Sequence, residues 1–450
     1  MISIRSPGRE GEHSNVKIKA LSLVLTAVLL LCGCGQKSET AAAAPAQAVT
    51  ASAAQSGTAR PVSTGVAPEQ FGAKGDGIAD DLQALQAAMQ QASASGRPLE
   101  LTAGAVYRFS SCLGLPSGLT IRGNGAVLLS DIQCPDLRED RVAVELMKDS
   151  DDDRAHDVRL ENVTFRAADS CQANYMLRVM LARNVEFVGC TFDCEPNEWG
   201  RCAADLYGGN ENIRFEGCVF RQMTSGASGG IWVRNWTDRV ESRNIRFQNC
   251  EFYKSGADEL LAVWGWGGAV RNVVLSGCSF YETQTQEALD AGHRPAWFIT
   301  LGQSGTTDVR MEDCTVRAEY CETIFRMVGD KTRAVVDNCD ITMKQPDSMA
   351  EHDMKKGANP MLARGNDRAD GSTVIQNSRI TLSGDNGRRI CYQLSALKGN
   401  TLDVSLGYGI ASTKEVSGNT IRGRIRHKVF QDCSGVENNN VEVRRFSILG

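Results

Sequence analysis

One nine-residue pattern recurs along most of the chain and limits what it can fold into. NVEFVGCTF (Asn184 to Phe192) returns as NIRFEGCVF (Asn212 to Phe220) and NIRFQNCEF (Asn244 to Phe252). It returns again as NVVLSGCSF (Asn272 to Phe280), DVRMEDCTV (Asp308 to Val316) and RAVVDNCDI (Arg333 to Ile341). Its cysteines stand at 190, 218, 250, 278, 314 and 339. Copies without cysteine extend it to DVRLENVTF (Asp157 to Phe165) on one side and STVIQNSRI (Ser372 to Ile380) on the other. Each copy alternates apolar and polar residues and then turns at Gly, Asn or Asp. Alternation describes a strand with one buried face. A unit of that length cannot bury its own face, so consecutive units must stack.

Helical periodicity is almost absent after residue 100. The expected fold is therefore all-β: a right-handed parallel β-helix of about a dozen coils, three short strands to a coil, with one short N-terminal capping helix. Like residues then stack into ladders about 4.8 Å apart. The repeated cysteine is such a ladder, continued by Asn400, Asn419 and Asn439. Small polarizable side chains filling an interior column explain it better than a metal or redox stack. These thiols are expected to be free. Among the other cysteines, Cys194–Cys202 and Cys112–Cys134, each close in sequence, are the expected disulfides of an exported chain. No CxxC pair is present, which argues against a zinc site.

The N-terminus carries an address. Lys17 and Lys19 precede twelve apolar residues, Ala20 to Leu31, and Leu31-Cys32-Gly33-Cys34 follows. Twelve residues are too few to span a bilayer. The arrangement fits a secretory signal. LCGC resembles the bacterial lipobox, which implies that Cys34 becomes a lipid-bearing N-terminus. The expected organisation is a signal over residues 1–33, the lipidated Cys34 and an Ala/Ser/Thr-rich tether to residue 66, and a β-helix domain over 67–450. The expected location is the bacterial envelope, on an outer-membrane lipoprotein. The net charge of −5 excludes a generic nucleic-acid binder.

Ahead of the first coil lies FGAKGDGIADDLQALQAAMQQA, Phe71 to Ala92. Gly72, Gly75 and Gly77 make a tight turn, and Asp80 or Asp81 can cap a helix. Leu82, Leu85 and Met89 share one helical face. This segment resembles the N-terminal cap of the pectin-lyase-like superfamily, which includes polygalacturonase-like and tailspike-like β-helices. The resemblance implies the fold and a polysaccharide partner lying along one stacked outer sheet.

The groove strands expected between repeat units leave an outward row. It comprises Arg178, Tyr207, Arg234, Trp264, Thr300, Arg326, Arg364 and Tyr392. Four arginines on an acidic body point to an anionic ligand. Of these, Arg178, Tyr207, Arg234, Trp264 and Arg364 are the expected substrate-binding residues. All six tryptophans lie between 199 and 297, and flat aromatic faces stack on sugar rings.

SGADELLAVWG resembles the G-D-D strand of polygalacturonases, which sets Asp258 and Glu259 on that family's paired aspartates. Gly292-His293 resembles its G-H-G. The family's other aspartate is missing from SGGIWVR, and Phe325-Arg326-Met327 only approaches its R-I-K. Glycoside hydrolysis needs an acid and a base. β-Elimination needs a base and a group that neutralises a uronate. Asp258 and Glu259 are the expected acid/base residues, assisted by His293 and Arg326. The expected function is cleavage of an anionic, uronate-containing polysaccharide, by hydrolysis or elimination. The alternative is a non-catalytic β-helix adhesin or export scaffold. No cofactor is implied. The acidic run Asp149 to Asp153 is readable as a calcium loop or, more simply, as a solvated one.

Overall fold

The computed structural model describes residues 65–133, 141–147, 153–193, 202–223, 230–235, 240–254, 259–282, 297–346, 360–366, 371–384 and 387–445. All lie in one compact unit, Pro61–Gly450. The chain winds as a parallel β-helix with three strands to a coil. One coil runs Ala182–Val188, Thr191–Asp193, Cys202–Tyr207; the next runs Glu211–Glu216, Val219–Met223, Ile231–Arg234. They pair in parallel at Val185–Ile213, Phe192–Phe220 and Ala204–Ile231. The sheet holding Thr191–Asp193 has fourteen strands, in line with the dozen or so coils expected. The other two sheets merge because Leu261–Ser276 runs through both without a break.

The core is built of ladders. Phe165, Phe192, Phe220, Phe252 and Phe280 stack with ring centroids 4.9, 4.8, 5.0 and 4.6 Å apart. Phe187, Phe215 and Phe247 form a second stack at 4.7 and 4.9 Å. Offset, near-parallel rings are a favourable aromatic geometry, and the rung spacing imposes it. Beside them stand the six free, buried thiols of the repeat. Each points at a carbonyl one coil earlier: Cys218 Sγ lies 3.3 Å from Phe187 O, and Cys278 Sγ 3.4 Å from Phe247 O. The column then changes chemistry. Ser378 Oγ accepts from the Cys339 N–H, and Asn400, Asn419 and Asn439 hydrogen-bond up the stack. A carboxamide satisfies the buried backbone that a thiol only approaches. Cys112 is a free, half-buried thiol 3.7 Å from Glu145, while Cys134 and Cys194 fall outside the described residues.

Outside the core, Asp157, Asn184, Asn212, Asn244 and Asn272 all hold left-handed backbone at the start of their strands. Each Asn donates Nδ2 to the preceding rung's side-chain oxygen at 2.7–3.0 Å. Asn and Asp tolerate that conformation best after glycine.

Val66 pairs with Leu99, and the helix Leu82–Ser95 follows. Its buried residues Leu82, Leu85 and Met89 are those the periodicity predicted. Of the two aspartates expected as caps, Asp80 is the one whose side chain meets the helix. Asp81 occupies the cap position, yet its carboxylate turns back to accept from the Lys74 and Gly75 N–H groups, at 2.7 and 3.0 Å. Asp80 accepts from the Leu82 N–H at 3.2 Å instead. Asp76 closes its own turn on the Ala79 and Ile78 N–H groups, which hold its carboxyl below the usual range. Gly72, Gly75 and Gly77 all hold positive φ. Among the described residues no helix is long and apolar enough to cross a membrane. Cys34 and the signal segment lie outside them.

Candidate functional site

The groove sheet contains Tyr175–Met180, Cys202–Tyr207, Ile231–Arg234, the first part of Leu261–Ser276, Trp297–Thr300, Thr323–Arg326, Pro360–Arg364 and Arg389–Tyr392. All eight expected outward residues stand on its outer face, but in two columns. One column is Glu145, Arg178, Asp205, Trp232, Ala262, Thr300, Arg326, Arg364 and Tyr392. The other, two residues further along each strand, contains Tyr207, Arg234 and Trp264.

The first cluster centres on Asp205, which is fully buried. Arg234 donates Nε and Nη2 to its two oxygens at 2.7 and 2.8 Å; Arg178 donates Nε at 3.2 Å. Burial works against the Arg234 charge, and Asp205 outweighs it, so the guanidinium pKa is raised. Aromatic faces close the cluster. Arg178 lies 4.3 Å from the Tyr175 ring centroid, and Arg234 lies 4.1 Å from Trp232 and 5.0 Å from Tyr207. Trp232 and Trp264 lie 5.4 Å apart, and their buried indole N–H groups meet no acceptor among the described residues. The arginines are thus not a row of open cations: Arg178 and Arg234 share a carboxylate that a one-residue-per-strand reading passed over.

The second cluster brings expected residues together. Glu259, 5% exposed, accepts from Thr300 Oγ1 at 2.8 Å and Arg326 Nη1 at 3.4 Å. Arg326 also lies 3.6 Å from the Trp297 ring centroid. Burial lowers its pKa, Glu259 opposes that, and the nearby Arg364 charge adds to it. Glu322 was not anticipated. Burial raises its carboxyl pKa against the opposing pull of Arg388 and Arg364. Arg388 donates Nη2 to the Glu322 carbonyl. One electrostatic unit therefore holds Glu259, Arg326, Arg364, Glu322 and Arg388. Within it Glu322 has a raised carboxyl pKa and Glu259 is ion-paired, the kind of difference that separates acid from base roles. The sequence offered no signal for Glu322, because its partners lie 42 and 66 residues further along the chain.

Asp258 and His293 lie outside the described residues, as do Trp199, Trp236 and all of the acidic run except Asp153. Among the described residues no group of His, Cys, Asp and Glu could hold a metal ion.

The family model for rhamnogalacturonase A/epimerase, pectate lyase-like proteins matches residues 66–285. No curated protein sequence matches the chain. Among solved structures, the Streptococcus pneumoniae surface protein and adhesin PfbA superposes with a TM-score of 0.50 at 13% identity, covering 85% of this chain and 100% of that one. The Agl-KA catalytic domain gives 0.48 at 13% identity, over 86% and 69%. The A-module of the Azotobacter vinelandii mannuronan C-5 epimerase AlgE6 gives 0.41 at 14% identity, over 84% and 97%. At these identities the structural likeness bears on fold alone. The fold and the family match together support a place for this chain in the pectin-lyase-like β-helix superfamily.

Proposed function

We propose that the protein cleaves an anionic, uronate-containing polysaccharide in the groove, with Glu259 and Glu322 as the working carboxyls. The observation that carries this reading is the contrast between them: Glu259 is ion-paired with Arg326, and the Glu322 pKa is raised by burial. Glu322 is suited to protonate the leaving oxygen, and Glu259 to activate a water. The strands that follow them, Leu261–Ser276 and Thr323–Arg326, are two rungs apart. Arg326 and Arg364 would bind the sugar carboxylate. Arg178, Tyr207, Arg234 and Trp264 would position the chain further along, the two arginines braced by Asp205. Glu322 here takes the place expected for Asp258 as partner to Glu259; Asp258 and the expected assisting residue His293 lie outside the described residues. The superfamily gives polysaccharide action its background, and a non-catalytic adhesin or scaffold its rival. What favours the rival is that Asp205 already engages two groove arginines.

The test is incubation with polygalacturonate, alginate, hyaluronate and dextran, following reducing ends and unsaturated-uronate absorbance together. Reducing ends without absorbance, lost in Glu259→Gln and Glu322→Gln, support hydrolysis here. Absorbance that survives both variants moves the reaction to elimination at the Arg and His residues. Retention of polymer without either signal favours the binding scaffold. Envelope anchoring through Cys34 belongs to the same proposal. Its test is labelling with a fatty-acid analogue, which Cys34→Ser must abolish.

A further inference from the structure

The strand Leu261–Ser276 turns the corner from the groove sheet to the neighbouring sheet without a break, and there it bulges. Gly265 pairs with Gly305 and Val270 with Thr307. Five steps on one rung thus face two on the next, so three extra residues are pushed outward. The bulge is built on glycine. A Cβ on Gly305, which holds φ 66°, would stand 1.5 Å from the Gly265 carbonyl oxygen. A Cβ on Gly265 would stand 2.5 Å from the Thr306 carbonyl oxygen.

The bulge delivers Trp266 to solvent at 56% exposure, the only exposed tryptophan among the described residues. Its ring meets Trp264 edge-on at 6.0 Å, and Trp264 lies against Trp232. The aromatic path therefore leads out of the groove and over its rim. Trp266 borders an open hollow of about 260 Å³ with Gly267, Gly268, Thr306, Asp330 and Lys331. A second hollow, of about 290 Å³, shares Thr306 and Lys331 and adds Arg271, Asp308 and Arg333.

We infer that this corner is an accessory binding subsite for the same class of acidic glycan, one sugar ring stacking on Trp266 and the carboxylate of the next engaging Lys331 and Arg333. The inference rests on the groove reading for its choice of ligand class. The chemistry is local, however. Trp266 keeps 56% of its surface exposed, and an exposed indole is a surface that the C–H groups of a pyranose ring can cover. The second hollow carries three cations against one carboxylate, and Arg271 is partly engaged by Glu241 at 2.9 Å. A site so placed would hold polymer outside the groove, adding contacts without adding chemistry.

The experiment is affinity electrophoresis of the full chain through gels containing polygalacturonate, alginate, hyaluronate or dextran. Trp266→Ala, Trp266→Tyr and Lys331→Gln are compared with the wild type, and reducing ends are measured on the same samples. The expected result is that at least one uronate polymer retards the wild type. Its affinity should fall about tenfold in Trp266→Ala and severalfold in Lys331→Gln, and largely return in Trp266→Tyr. Equal retardation of the wild type and Trp266→Ala would overturn the inference. So would failure of all three uronate polymers to retard the wild type, or equal retention by dextran. Trp266-dependent retention without any cleavage sinks the groove reading and keeps this one. Cleavage with Trp266-independent retention does the reverse.

Discussion

Arg326 reaches back two rungs to Glu259, its Nη1 3.4 Å from Oε1. Both groups are largely withdrawn from water, so removing Arg326 takes a cation away from a buried carboxylate. Arg326→Ala should cost about 3 kcal/mol of stability and lower turnover about a hundredfold. Glu259→Gln should cost less stability and as much activity. The double variant should be more stable than the sum of the singles implies. Urea unfolding of the four proteins checks this, and additive losses would mean that the pair is not coupled.

Asp205 is the counterpart at the other end of the groove. It holds two guanidiniums that would otherwise face each other without a carboxylate between them. Asp205→Ala should cost about 3–5 kcal/mol, more than Arg178→Ala, which leaves the two Arg234 hydrogen bonds in place. Thermal unfolding of both variants decides the order.

The coil architecture was legible because it repeats. Alternation passed over the groove strands Val142–Met147 and Tyr408–Ala411, but it put all eight outward residues on the correct face. Their arrangement was not legible. The cysteine spacings of 28, 32, 28, 36 and 25 show loops of unequal length, which hide which residues share a rung. Tyr207 and Asp205 lie on one face, two residues apart, and choosing one of them per strand lost the carboxylate that organises the cluster. Glu322 was invisible for another reason: its character comes from burial and from Arg364 and Arg388, which only stacking brings near. Asp81 shows a third limit. Its position marks a helix cap, but two backbone N–H groups of the preceding glycine turn compete for its carboxylate and win it.

Glu322 gives a pH prediction whose sign is opposite to that of a salt-bridged acid. Its folded pKa is raised above the ordinary value of 4.5. Between those two values the folded state binds more proton than the unfolded one, so this group makes stability fall as pH rises. The penalty is absent below about pH 4.5 and complete above the folded pKa. Glu322→Gln should therefore gain stability relative to wild type as pH rises through that window, and show no such gain below it. Melting temperatures of the two proteins from pH 4 to 8 check it. A constant difference across that range would mean that burial does not govern this carboxyl.

The buried thiols predict a labelling pattern. The six cysteines of the repeat are buried, and an aromatic disulfide reagent needs direct access to a thiolate. Under native conditions they should react only as fast as the solenoid opens; among the described cysteines Cys433, at intermediate burial, should lead, and Cys112 should lag because burial and Glu145 push its thiol up to about 12. Full reaction in guanidinium, and a native rate for the six that rises with urea, is the expected result. Fast native labelling of Cys218 or Cys250 would mean that the ladder breathes locally.

The glycine contact under Trp266 supplies the most direct test of the corner. At Gly305 a methyl group would meet the Gly265 carbonyl oxygen at 1.5 Å, on backbone that L-residues avoid. No side-chain rotation relieves that clash; one rung must move. Gly305→Ala should therefore destabilise the protein by about 2–4 kcal/mol and shift the Trp266 fluorescence, read by difference against Trp266→Phe. Gly114→Ala is the control, since a Cβ on Gly114 would meet nothing within 4 Å on backbone without positive φ. If Gly305→Ala unfolds at the wild-type temperature with unchanged emission, the two rungs do not touch as described. The bulge would then lose its structural basis, and Trp266 its fixed position at the rim.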